Sequence, residues 1–136
     1  MIVADTNLIV HLFVESSSSQ PARQVLRRDP EWGSPFLWRS EFTNALVKCL
    51  RGGVLKRDEA LSIQEAAESM MSGAEFDVAS DDVLVLAAGS GCSAYDAEYV
   101  VLARELRVPL VTTDRELLEK FPETAITPER FLAGAR

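Results

Sequence analysis

The sequence predicts an α/β fold, a three-layer α/β/α sandwich around a central parallel sheet. Three observations predict it. Short apolar runs suited to strands buried on both faces, Met1-Ile2-Val3-Ala4 and Leu110-Val111, alternate with longer segments of helical period. A carboxylate stands just beyond each of these runs, Asp5 after the first and Asp114 after the second, at a strand-to-helix junction. The chain of 136 residues, 47% hydrophobic and 26% charged, is of ordinary size and composition for one globular domain spanning residues 1–136.

Taken in order, Met1–Ala4 reads as the first strand, and Leu8, Ile9, Leu12 and Phe13 then continue at helical spacing. Glu15–Gln20 reads as a polar, mobile loop without packing residues, followed by a helix from Pro21 to about Arg28 that ends at Asp29-Pro30. Gly33-Ser34-Pro35 suggests a turn and Phe36-Leu37-Trp38 a second strand. A helix follows with Ser40 as N-cap and Glu41 at its first position; Phe42, Ala45, Leu46, Cys49 and Leu50 form its buried stripe, and Gly52-Gly53 ends it. Lys56–Met71 reads as a further helix and Phe76-Asp77-Val78 as a brief strand. Ser80 would cap a helix through Ala88, and Gly89-Ser90-Gly91 would break the chain.

The segment from Ser93 to Asp114 is a capped helix, a turn and a strand. Tyr95, Tyr99, Leu102, Ala103 and Leu106 form its apolar stripe, and Asp96 lies in the first turn, where the helix dipole favours a carboxylate. A short helix Arg115–Lys120, an edge strand Thr124-Ala125-Ile126 and a terminal turn from Pro128 to Arg136 complete the chain.

Charge narrows the functional classes. The net charge of −7 argues against polyanion binding by bulk attraction. The distribution is uneven: residues 1–57 carry eight basic residues against five acids, whereas residues 58–136 carry six against sixteen. Any nucleic-acid contact must therefore be local, with Arg23, Arg27, Arg39 and Lys48 as its candidates. No apolar run approaches the length of a membrane span, the start of the chain shows no basic leader, and Cys49 and Cys92 lack metal spacing. These features read as a cytoplasmic protein with free thiols and no membrane partner.

Asp5, Glu41 and Asp114 each fall at a strand-to-helix junction, and Asp96 begins the helix leading to the last of these strands, so all four are expected at one sheet edge. Unit charges 4 Å apart repel by about 4 kcal/mol at an effective dielectric of 20. A hard divalent cation relieves that repulsion, and an oxygen-only donor set suits Mg²⁺ or Mn²⁺. Such a site can activate a water and stabilise the charge that develops on a phosphodiester during in-line displacement. His11 is the only histidine, which leaves no two-histidine ribonuclease mechanism, and neither a phosphate loop nor a dinucleotide fingerprint is present.

The motifs VADTNLIV, SEFTNAL, SAYDAEYVVLA and PLVTTD, in this order and spacing, resemble those of PIN-domain ribonucleases, specifically the VapC-like toxins of type II toxin–antitoxin modules. The resemblance implies that Asp5, Glu41, Asp96 and Asp114 hold Mg²⁺ or Mn²⁺, supported by Thr6, Asn7 and Thr112. It also implies cleavage of structured RNA such as tRNA or rRNA, inhibition by a cognate antitoxin, and a homodimer. Glu98 stands where the family often has a small or apolar residue, and on a helix it points away from Asp96. Two other classes compete: a catalytically silent PIN-like binding module, and a receiver-like metal-binding signalling domain. The receiver pattern wants paired acids after the first strand and Lys after the last, whereas here Thr6-Asn7 and Arg115 stand at those places. A haloacid-dehalogenase-like phosphatase would need Asp where Asn7 stands.

Overall fold

A computed structural model describes residues 1–134. The elements in chain order are β1 (Ile2–Ala4), α1 (Thr6–Phe13), α2 (Ser19–Arg28), β2 (Trp32–Pro35), α3 (Trp38–Arg51), α4 (Arg57–Met71), β3 (Glu75–Phe76), α5 (Ser80–Ser90), α6 (Ala94–Leu106), β4 (Leu110–Val111), α7 (Arg115–Lys120), β5 (Ala125–Ile126) and α8 (Pro128–Leu132). The strands form one sheet in the order β3-β2-β1-β4-β5, and every neighbouring pair is parallel. The register places Val3 opposite both Gly33 and Leu110, so β1 lies at the centre.

Alternation along the strands divides the core into two layers. Ile2, Ala4, Val111 and Ile126 pack with Leu8, Val25, Trp38, Phe42 and Met71 from α1 to α4. Val3, Leu110 and Ala125 face the other way, onto Val83, Ala97, Val100, Leu102 and Leu117 from α5 to α7. This is the three-layer α/β/α sandwich that the alternation of apolar runs and helices predicts. The winding reverses between β1 and β4, the position at which open α/β sheets bind ligands beyond their carboxyl ends. A receiver domain is wound in the order 2-1-3-4-5, so the sheet excludes that alternative. Among the described residues, no helix is long and apolar enough to cross a membrane.

Several local expectations are overturned. Ser19 is fully buried and opens α2, two residues before Pro21; its hydroxyl donates to Val14 O at 3.2 Å and accepts from Ser16 N at 2.9 Å, tying down the expected loop. Trp38 belongs to α3, so Ser40 and Glu41 lie inside its first turn and neither is the cap. Ala79, not Ser80, precedes α5, which runs through Gly89 to Ser90 before Gly91 reverses the chain at φ 78°. Tyr95 and Leu50 leave their predicted stripes for solvent. The terminal segment contains the helix α8, capped by Thr127, while Ala135 and Arg136 lie outside the described residues.

The second strand is formed by Trp32–Pro35, where a turn was expected, and the physical reason is specific. A Cβ on Gly33 would stand 3.0 Å from Phe76 Cε2, so any larger residue there would require the Phe76 ring on β3 to shift. Ile2 N donates to Glu31 O at 3.0 Å, which sets a ladder in which the next unpaired carbonyl, Ala4 O, faces residue 35. Pro35 has no N–H to offer. The Ser34 hydroxyl supplies the bond instead, donating to Ala4 O at 2.5 Å from a fully buried position. Gly and Pro, normally turn signals, thus tolerate a strand because one hydroxyl replaces the missing donor. Ser34→Ala leaves that carbonyl unsatisfied and should lower stability by about 1–3 kcal/mol in chemical denaturation; an unchanged midpoint would show that the bond contributes nothing.

Candidate active site

Asp5 ends β1 and caps α1. Its Oδ1 accepts from Leu8 N at 2.9 Å and its Oδ2 accepts from the Thr112 hydroxyl at 2.5 Å. Thr112 is itself fully buried just past β4, and its Oγ1 accepts from Asp114 N at 2.9 Å. One threonine therefore links the acids that follow the two central strands. Asp114 caps α7 through Leu117 N at 3.1 Å. Glu41 projects from α3, where its Oε1 accepts from Tyr99 OH at 2.6 Å and from Thr6 Oγ1 at 3.0 Å, the two hydroxyls lying 2.6 Å apart. Asp96 begins α6 with its N–H donated to Ser93 Oγ at 3.0 Å, as the capping pattern requires.

The four carboxylates line one cavity of about 220 Å³, together with Thr6, Asn7 and Tyr99. It opens at the carboxyl ends of β1 and β4, the reversal point of the sheet. The acids bear on one another electrostatically. Burial raises the Asp5 carboxyl to about 7, with smaller upward contributions from Asp114 and Asp96, against the bonds from Thr112 and Leu8 that favour its ionised form. Asp96 is raised by burial and then by Asp114, Glu41 and Glu116, with Lys120 opposing. The Tyr99 hydroxyl is raised by burial and by Glu41, so it stays protonated and donates. His11 lies outside this group. Burial lowers its imidazole, whose Nε2 stands 3.4 Å from Thr113 Oγ1.

The donor set fits a hard divalent cation, being all oxygen and carrying more negative charge than its surroundings neutralise. Among the described residues, no three Asp, Glu, His or Cys side chains stand close enough to hold a cation directly. The acids ring the cavity, an arrangement that suits an ion which retains several of its waters.

Of the four basic residues proposed as RNA contacts, only Lys48 lines this cavity. Arg23 pairs with Glu15 at 3.1 Å, and Arg39 reaches toward Glu75 at 3.7 Å and Glu68 at 3.9 Å. Arg27 borders a separate hollow with Arg28 and Leu132. Glu98 lines a different hollow beside Phe36, Phe76 and Leu84, and its carboxyl is raised by burial and then by Glu41. Tyr99, which has the spacing of a core stripe, and Asn44, which lies within SEFTNAL, also line the cavity. Spacing held the signal: Tyr99 is three residues after Asp96, while Asn44 and Lys48 follow Glu41 by three and seven, on one helix face.

A doubly wound parallel sheet with an acid-lined cavity at its reversal point defines the class, an α/β protein whose cavity is acidic. The PIN domain family model matches residues 2–123, and the chain belongs to the PIN-domain family. It is 32% identical over 130 residues to Ribonuclease VapC3 of Pyrobaculum aerophilum, covering 93% of this chain and 98% of that protein. Among solved structures it is similar to PAE2754 from Pyrobaculum aerophilum, with a TM-score of 0.75 and 26% identity over 98% of this chain and 94% of that one. It shares its fold with a chain of a toxin–antitoxin complex from Klebsiella pneumoniae, at a TM-score of 0.69 and 17% identity over 94% of this chain and 98% of the other.

The raised Asp5 carboxyl makes a pH prediction. Its folded value of about 7 lies above its ordinary 3.8, so between these values the folded state holds a proton that the unfolded state releases. Stability without divalent cations should therefore fall as pH rises through this window, by at most about 4 kcal/mol, and level off above it. Melting in EDTA should be higher near pH 5 than near pH 8, and Asp5→Asn should flatten the difference. A wild type that melts no lower near pH 8, or an unchanged slope in the variant, would contradict the assignment.

Proposed function

We propose that this protein is a metal-dependent endoribonuclease and the toxin of a toxin–antitoxin pair, with residues 1–136 forming a single nuclease domain. The observation that carries the reading is the cavity at the sheet's reversal point, where Asp5, Glu41, Asp96 and Asp114 arrive from four different elements. These four would hold Mg²⁺ or Mn²⁺, which when bound acidifies a water and offsets the charge that develops on a phosphodiester.

The chain's own residues prepare that chemistry. Leu8 N–H and the Thr112 hydroxyl hold both Asp5 oxygens in one orientation and favour the ionised form that burial opposes. Thr6 and Tyr99 fix Glu41 through the same oxygen, which leaves its Oε2 free of these two bonds. Lys48 supplies a positive charge at the cavity and suits a substrate phosphate. Asn7 and Asn44 add amide donors and acceptors on the same wall. RNA as substrate is supported by the likeness to a relative named as a ribonuclease across nearly the whole of both chains. The VapC-type motifs quoted above imply the antitoxin partner, tRNA or rRNA as target and the homodimer, while the cytoplasmic location is read from the free thiols Cys49 and Cys92.

Cleavage of purified tRNA and rRNA with Mg²⁺ or Mn²⁺ tests the reading. Wild type should yield discrete fragments, EDTA should abolish them, and Asp96→Asn should be slower by at least about 100-fold. Intact RNA with either cation, in a protein that nevertheless binds the cation, would favour the silent binding module. Tyr99→Phe removes the hydroxyl that orients Glu41 and should reduce activity by about 10–100-fold while the protein stays folded; full activity in that variant would show the bond to be incidental.

A further inference from the structure

A second hollow, of about 290 Å³, lies at the opposite edge of the sheet, where Pro109 leads into β4 and Thr124 into β5. Arg104 and Arg107 reach it from the end of α6 and Arg130 from α8. Among the described residues, none of these three guanidiniums forms an ion pair, and Glu123 is the one acid on the rim. That gathering is unusual here, because residues 58–136 carry sixteen acids against six basic residues.

Two of the arginines are set in place by features that packing alone does not require. Arg104 stacks over Phe121, 5.5 Å from the ring centroid, while its Nε donates to Thr124 Oγ1 at 3.2 Å, so its fork is held on the rim. Arg107 closes α6 in the left-handed region, at φ 57° and ψ 45°, with Val108 N donating to Ala103 O at 3.0 Å. At each of the other four described positions with positive φ the chain uses glycine. Glycine is the residue that such a helix end favours, so a long cationic side chain is retained there against the backbone's preference.

We propose that this hollow is a second phosphate-binding site, in which Arg104, Arg107 and Arg130 hold a backbone phosphate of the RNA away from the point of cleavage. The proposal rests on the ribonuclease reading and names where its substrate gains affinity. The cavity at the cleavage site is ringed by carboxylates and offers one lysine, so it repels a polyanion over most of its surface. Two of the four basic residues singled out in the sequence are already engaged by acids. The three arginines are free of such partners among the described residues, and guanidinium forks match phosphate oxygens. The floor formed by Val108, Pro109 and Pro122 is apolar, which suits a sugar or base beside that phosphate better than an acidic peptide. About 10 Å of strand separates Pro109 at this hollow from Thr112, whose hydroxyl bonds Asp5, so the two sites lie at opposite ends of β4 within the span of one structured RNA.

Fluorescence anisotropy with a labelled RNA stem-loop in EDTA, across a KCl series, tests this on the full chain. The variants are Arg107→Gly, Arg130→Gln and the two combined, with a labelled polyglutamate peptide as the second probe. The double variant should bind RNA about 10-fold more weakly, with a log–log salt slope shallower by about 1.5. Arg107→Gly should melt at or above the wild-type temperature, so its weaker binding cannot be ascribed to unfolding. Unchanged RNA affinity and slope in the double variant overturn the proposal. Loss of polyglutamate binding with RNA binding intact also overturns it, and assigns the hollow to an acidic protein segment. If wild type cuts no RNA yet binds it through these arginines, the site stands and the cleavage reading falls. If wild type cuts RNA and the variants bind it as well as wild type does, the reverse holds.

Discussion

Asp5 leaves the central strand buried, with both carboxylate oxygens already bonded and with three further acids around the same cavity. Most of the structure can be understood as what is needed to keep a charge in that position. Burial works against the ionised form strongly enough to bring its pKa to about 7. The Thr112 hydroxyl and the Leu8 amide work the other way, and both exist only because β1 and β4 are neighbours and α1 begins at residue 6. Remove the parallel pairing of β1 with β4, and Asp5 loses its partner while Asp114 loses its place.

The shortness of the strands follows from the same arrangement. Three of the five contain only two residues, enough to fix register and direction but little more. The helices then carry the functional groups. α3 presents Glu41, Asn44 and Lys48 along one face, and α6 presents Asp96 and Tyr99. Tyr99 belongs to both worlds. Its ring is part of the α5–α7 core layer, while its hydroxyl reaches through to Glu41 and Thr6. A core residue thereby sets the orientation of a site residue, and packing and electrostatics share one side chain.

The sequence reveals the fold and the four acids because their signals are local and repeated. Apolar runs such as Ile2–Ala4 and Leu110–Val111 can be buried on both faces only in a covered sheet, and the acid after each sits at a junction that this topology brings to one edge. What it conceals depends on contacts distant in the chain. Gly33-Ser34-Pro35 carries turn chemistry, and only the carbonyl of Ala4 and the ring of Phe76 explain why it pairs as a strand. The run of serines before Pro21 looks solvated until Ser19 is seen capping the chain end of α1 through Val14 O. Tyr99 reads as an ordinary helical hydrophobe because nothing local reports that Glu41, fifty-eight residues away, lies within reach of its hydroxyl. Basic residues are the least legible of all: Arg23 and Arg39 are claimed by nearby acids, and Arg104, Arg107 and Arg130 meet only through the fold.

The central claim is that four carboxylates from four elements form one cation site. Thermal melting of wild type and Asp114→Asn across a Mn²⁺ titration tests it most directly. Asp114 is shared between the cap of α7 and the cavity, and the amide oxygen of asparagine keeps the cap while removing the charge. The melting temperature of wild type should climb with Mn²⁺, and the variant should fold but no longer respond. No response in wild type, or an equal one in the variant, would mean that the carboxylates share a cavity without sharing an ion.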